Sequence, residues 1–216
     1  MNGFSKSAWW ETRSQSCVIL NLDKLKKVIP ERLSIDAEFV DARIKKLNLD
    51  KDAKILEIGT GFGTMTIILA MNGFNVVTGE PEYTCHHNWR KAAKVIGVEH
   101  KITYQRLDAE QLSFPEDFFD GVFMHITLLY IRNKEGALNE CLRVIKPNGL
   151  IVIVEDNHKG IEYLRNKHPA WLAGAGTFFT LPLDPRKIIK RNDVFTEVIT
   201  GTYVDLYILK KCKVNC

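Results

Sequence analysis

Glu57 stands directly before three alternating glycines, Gly59, Gly61 and Gly63, with Thr60 between the first two and Thr64 after the last. Glycine allows tight turns and close backbone approach, so this run reads as a loop against which a ligand can lie. A carboxylate at its head repels a pyrophosphate and attracts an ammonium or sulfonium group. Glu80, reached directly from Val76-Val77, is placed to accept hydrogen bonds from two ribose hydroxyls, with Glu82 as a second acid nearby. Asp108-Ala109 follows a third strand pattern and is placed to hold an exocyclic amine, with Leu112 or Phe114 as an apolar wall. Met124 and His125 end a fourth strand pattern, and Tyr130 follows on the same loop. A histidine there can take a proton, orient a loop or bond a backbone carbonyl. Tyr130 can bind a second substrate or cover the core.

Three ligand classes compete for the glycine loop. An ATP or GTP phosphate loop needs a lysine after its last glycine, and none follows Gly59 at the required distance. A nicotinamide or flavin loop, Gly-x-Gly-x-x-Gly, puts its third glycine where Thr64 stands, whereas this chain has Gly63. S-adenosylmethionine carries both an ammonium and a sulfonium and no phosphate, which suits Glu57.

These residues need a scaffold that gathers strand ends. Ile55 to Ile58, Asn75 to Thr78, Ile102 to Leu107, Asp120 to Ile126 and Leu150 to Val154 read as strands. Helical patterns separate them at Thr64 to Met71, Tyr83 to Ile96 and Glu135 to Ile145, the last stopped by Lys146-Pro147-Asn148-Gly149. Such alternation predicts an α/β fold with helices on both faces of a mainly parallel sheet. Its ligands lie beyond the carboxyl ends of the strands. Gly160 to Ala173 and Asp184 to Lys190 read as further helices. Phe195 to Thr200 and Thr202 to Leu209, around Gly201, predict a closing antiparallel hairpin and a seven-stranded, Rossmann-like sheet. Ahead of the first strand, Asn21 to Ile29 reads as a basic helix stopped by Pro30. A second helix is expected to start at an Ser34 N-cap and to show Phe39, Val40, Ile44 and Leu47 on one face.

The expected division is an arm with covering helices at residues 1–50 and a ligand-binding domain at 51–216. Phe4, Trp9 and Trp10 make the arm a candidate flap, and the aromatic, glycine-rich stretch around Trp171 and Phe179 a candidate mobile cover. The 216 residues suit one domain, and 45% apolar with 26% charged residues is ordinary for a chain with a sizeable core. A net charge of +4 permits nucleic acid without demanding it. Five cysteines include no Cys-x-x-Cys pair, which predicts no metal site and reduced thiols in a cytoplasmic setting. Cys85-His86-His87 is expected to be exposed rather than to bind metal. No apolar run has the length of a membrane span, so no membrane partner is expected.

The motifs together resemble the class I S-adenosylmethionine-dependent methyltransferases, in particular the small-molecule type with a minimal core. Glu-x-Gly-x-Gly-x-Gly from Glu57 to Gly63 is similar to their first motif, and Glu80 falls where their ribose-binding acid lies. The segment from Leu107 to Pro115 resembles their adenine side, and Phe119 to Met124 the strand beneath the methyl-transfer site. Arg143 to Leu150 resembles the turn into their fifth strand. The resemblance covers about residues 50 to 156. It implies that Glu57 takes the cofactor's amino group and that Gly59, Thr60, Gly61 and Gly63 border its methionine part. By the same token Glu80 holds the ribose, Asp108 and Ala109 the adenine, and Met124 or His125 lies near the sulfonium. The implied reaction is in-line methyl transfer to a small molecule, with His125 and Tyr130 as candidate catalytic groups. RNA or protein acceptors, with Arg186-Lys187, Lys190-Arg191 and Lys210-Lys211 as a basic rim, and a non-catalytic binding protein are the alternatives. Glu155, Asp156 and His158 are candidates for the far wall of the crevice, with Asp156 or Asn157 as a helix cap.

Overall fold

The computed structural model describes residues 21–81, 88–170 and 182–211. It opens with helix α1 (21–28), followed by α2 (Glu31–Ser34) and α3 (Ala37–Lys45). The sheet strands are β1 (Ile55–Ile58), β2 (Val76–Glu80), β3 (Ile102–Arg106), β4 (Phe119–His125), β5 (Ile145–Asp156), β6 (Val194–Thr200) and β7 (Val204–Lys211). Between them run α4 (Thr64–Met71), α5 (Trp89–Ile96), α6 (Lys134–Val144) and α7 (His158–Lys167).

Strand order is β3-β2-β1-β4-β5-β7-β6. The first five strands pair in parallel, and β7 runs antiparallel to both β5 and β6. The chain leaves β1 towards β2 and β3 on one side and returns to β4 on the other. The β1/β4 boundary is therefore the switch point at which an open α/β sheet leaves a crevice.

Alternation along the strands divides the core into two layers. Ile55, Phe123, Val152, Val154 and Leu206 pack with α1, α3, α4 and α5. Leu56, Ile58, Val122, Met124, Ile151 and Tyr207 pack with α6 on the opposite face. Helix α4 is apolar nearly all round because seven of its eight residues are buried. Glu57 falls between two residues of the α6 face, so its side chain is turned towards α4. Leu22, Leu25, Val40 and Ile44 belong to the same core layer as β1 and α4, which seats the helices before β1 directly on the sheet.

Several local expectations are revised. Ser34 is not the N-cap of α3: its hydroxyl donates to the Pro30 carbonyl at 3.2 Å, and Asp36 occupies the cap. The Pro30 break yields one extra turn, α2, before the helix proper. β5 begins at Ile145, opposite Phe119, makes an irregular excursion through Pro147 and Gly149, and resumes pairing at Leu150 opposite Gly121. Asn157 caps α7, accepting from the Gly160 amide at 3.1 Å. The expected helix over 184–190 is a single 3-10 turn, Pro185–Lys187. Cys141 is a buried free thiol, and no helix of the described residues is long and apolar enough to cross a membrane. The aromatic arm, Glu82, Cys85-His86-His87 and the stretch from Trp171 to Phe179 lie outside the described residues.

Candidate functional site

The carboxyl ends of β1, β2 and β4 open on a cavity of about 470 Å³. Gly59, Thr60, Gly61 and Phe62 form one wall, with Glu57 and Glu80 beside them, and His125, Ile126, Thr127 and Tyr130 form the other. Helix α2 roofs it through Glu31, Arg32 and Leu33, and His168 closes the edge.

The loop's geometry follows from its glycines. Gly59 has φ +85°, and a Cβ there would stand 2.4 Å from both the Cγ2 and Oγ1 of Thr127. The Thr127 side chain, on the turn after β4, thus packs directly on the Gly59 backbone. Gly63 has φ +89° and starts α4, with Trp89 occupying the space a side chain would need.

Glu57 is 1% exposed. Its Oε2 accepts from the Thr66 hydroxyl at 3.0 Å and from the Thr78 hydroxyl. Because Thr78 spends its one proton on Glu57, Thr60, 2.7 Å from the Thr78 oxygen, is the donor of that pair. A threonine chain therefore runs from the glycine loop down to the acid. Burial pushes the Glu57 carboxyl up to about 7, against the two hydroxyl bonds. Glu80 accepts the Gly61 amide at 2.6 Å, so the ribose candidate also fixes the loop.

The opposite wall is strained and charged. Ile126, a β-branched residue, has φ 51°. That conformation costs about 1–3 kcal/mol and persists only where neighbours over-determine it. The Ile126 amide donates to Val154 O at 2.7 Å, and the Leu128 amide to Glu155 Oε1 at 3.0 Å. Arg32 on the roof pairs with Asp156 at 3.0 Å, both side chains nearly buried. Burial, assisted by the Arg32 cation, drives His125 down to about 4, so its imidazole is neutral at pH 7.

The proposed residues thus divide. Glu57, Gly59, Thr60, Gly61, Glu80, His125 and Tyr130 meet at one cavity. Gly63 is buried at the start of α4, and Met124 is buried in the α6-side core. Ala109 is buried in that same layer, while Asp108 is exposed and accepts from the Glu110 amide at 2.9 Å. None of these four is among the described residues lining the cavity. The sequence reading missed Arg32, Thr66, Thr78 and His168. Thr66 alone carried a usable signal, a polar position in the otherwise apolar helix α4.

Burial also lifts Asp156 to about 6 and Glu155 to about 8. In the unfolded chain such groups titrate near pH ~4. Above about pH 6.5, Glu57 and Glu155 still hold protons that the unfolded chain has lost, so stability falls as pH rises through about 7 and 8. Below about 6.5 the neutral His125 opposes this trend, because the unfolded chain then takes up its proton first. Melting temperatures measured from pH ~6.5 to ~8.5 should decline, and Glu57→Gln should flatten the slope. A rising melting temperature would contradict these carboxyl assignments.

The described cavity lining has acids beside the glycine loop and one Lys or Arg, Arg32, on the roof. That pattern fits a cationic, phosphate-free nucleoside cofactor, with Glu57 available for its ammonium and Glu80 for its ribose.

This sheet order and this glycine-loop cavity make a Rossmann-like α/β domain with its cavity at the carboxyl ends of the strands. Residues 56–153 match the family model described as a methyltransferase domain. A ubiquinone/menaquinone biosynthesis C-methyltransferase of Methylococcus capsulatus is 28% identical over 121 residues, 53% of this chain and 48% of the relative. The protein of the same description from Proteus mirabilis is 24% identical over 156 residues, 70% of this chain and 60% of the relative. The chain therefore spans about half the length of the curated relatives it matches. A structure from Methanococcus maripaludis aligns over 93% of this chain and 94% of its own, with TM-score 0.68 and 15% identity. A SAM-dependent methyltransferase from Aquifex aeolicus aligns over 87% and 97%, with TM-score 0.60 and 19% identity. The chain is thus similar in sequence to a methyltransferase domain over residues 56–153 and similar in fold to S-adenosylmethionine-dependent methyltransferases.

Proposed function

We propose that this protein transfers a methyl group by in-line displacement to a small-molecule acceptor. The observation that carries the reading is the single cavity joining the glycine loop and Glu80 to His125 and Tyr130 under the α2 roof. Its volume lies in the range of small-molecule sites. The cofactor, when bound, supplies the activated methyl group, so the protein's task is placement and exclusion of water.

In this reading Glu57 and Glu80 hold the cofactor's polar ends, and Gly59, Thr60 and Gly61 let it lie on the backbone. Gly63 starts the helix behind the loop, Asp108 and Ala109 border the adenine side, and Met124 supports β4 from below. Segment 1–50 supplies the roof and 51–216 the cofactor-binding body. His125, with a pKa near 4, is a weak base at neutral pH and serves to orient the acceptor by hydrogen bonding. Tyr130 stands beside it at the exposed mouth.

Half of the basic rim is already engaged by acids of the chain itself. Arg186 pairs with Asp184, Arg191 with Asp193, and Lys211 with Asp117. A polymer would have to displace those partners, whereas a small molecule has a roofed cavity ready.

Calorimetry is expected to show S-adenosylhomocysteine binding and no NADH binding; the reverse result would overturn the reading. A methyl donor labelled at the methyl group, offered to small molecules, RNA and protein, should label the small-molecule pool. Binding without any labelling would instead favour a non-catalytic sensor. Ionised Glu57 suits the cofactor's ammonium, so binding near pH ~7 should release protons, seen as a buffer-dependent heat.

A further inference from the structure

We propose that Glu155 is a positioning residue for the acceptor half of this site, pinning the 126–128 turn so that Thr127 seals on Gly59 while His125 and Tyr130 face the cavity. The proposal rests on the methyltransferase reading of that cavity. Strand alternation turns Glu155 to the face opposite Val154, directly under the turn after β4. There its Oε1 accepts the Leu128 amide at 3.0 Å, while Oε2 is buried with no hydrogen-bond partner. The side chain is fully buried and is no part of the cavity lining, so its action on a substrate runs through the turn.

The turn needs such an anchor. Ile126 holds φ 51° within it, and the Val154 carbonyl and the Glu155 carboxyl fix its backbone on either side of Thr127. If the carboxyl is removed, the Leu128 amide loses its acceptor inside an apolar layer containing Leu128 and Leu129. The turn then has a route to relax, and Thr127 leaves Gly59. A displacement of this kind at a reacting centre disturbs the alignment of donor and acceptor far more than cofactor affinity.

Burial and a neighbouring acid keep the carboxyl neutral at pH 7. The groups facing Glu155 are Asp156 beside it, Asp205 opposite it on β7, Tyr207 on β7, Lys134 at the start of α6, Arg32 on α2 and Tyr130 on the turn's own continuation. Burial and the neighbouring Asp156 lift the carboxyl to about 8, against the Leu128 amide, Lys134 and the Thr127 backbone. At neutral pH it is a protonated acid, and raising the pH past about 8 puts a charge under the turn.

Glu155→Ala and Glu155→Gln separate positioning from mere stability. Using the acceptor found by labelling, Glu155→Ala should lower kcat by about 10- to 100-fold with S-adenosylhomocysteine affinity nearly unchanged. Glu155→Gln keeps a carbonyl for the Leu128 amide, so it should retain most of kcat at pH ~7. Hydrogen exchange gives a readout free of turnover: Glu155→Ala should speed exchange at the Leu128 amide and leave Ile68 in α4 protected. Unchanged Leu128 exchange overturns the proposal. So does a parallel loss of kcat, affinity and melting temperature that Glu155→Gln fails to rescue. Absence of S-adenosylhomocysteine binding by the wild type would sink the functional reading instead, and the exchange result would still decide on Glu155.

Discussion

Glu80→Ala lowers affinity for S-adenosylhomocysteine by about 10- to 100-fold in calorimetry, as the loss of hydrogen bonds to a charged acceptor, about 1.5–3 kcal/mol, requires. Two effects coincide at this carboxylate. It sits at the end of β2, on the cavity wall, where a ribose can reach it. Its Oε1 also holds the Gly61 amide at 2.6 Å, so its removal frees the glycine loop as well as the ligand. Glu80→Gln distinguishes the two. The amide oxygen still accepts from Gly61 but lacks the charge, so its affinity should fall between wild type and alanine. Alanine and glutamine variants that both match wild type would place the ribose contact elsewhere.

The parts of this site legible in the sequence are those carried by local patterns. Three glycines after a short apolar strand, with an acid inside that strand, announce the loop within nine residues, Ile55 to Gly63. Strand alternation similarly announced the hairpin, because Val204, Leu206 and Ile208 face one core layer while Tyr207 and Leu209 face the other. What was not legible depends on distance along the chain. Arg32 meets Asp156 across 124 residues, and Glu155 meets Leu128 across 27. Neither partner carries a spacing signal, since the contact exists only once β4 and β5 lie side by side. Pro30 was rightly a helix stop, yet the single turn that follows it forms the cavity roof. Nothing in Glu31-Arg32-Leu33-Ser34 marks that use. Met124 neighbours His125 in sequence, but period-2 alternation turns its side chain into the opposite core layer.

The second large effect is expected at Gly59, where the glycine loop and the turn after β4 meet. Gly59→Ala should reduce S-adenosylhomocysteine affinity by about 100-fold or more, through two separable costs. The φ of +85° disfavours any side chain, by about 1–2 kcal/mol. The new Cβ would also lie 2.4 Å from Thr127 Cγ2 and Oγ1 and 3.0 Å from Thr127 Cβ, so one of the two segments must move. Thr127→Gly removes all three clashing atoms and leaves the backbone strain in place. The double variant should therefore bind better than Gly59→Ala alone but less tightly than wild type, with a coupling of about 1–3 kcal/mol between the sites. Simple additivity would mean that the two segments do not touch in solution. Strong coupling would show that they pack as one unit. The glycine is then needed twice: once so that the loop can take its left-handed turn, and once so that the Thr127 side chain can pack against it.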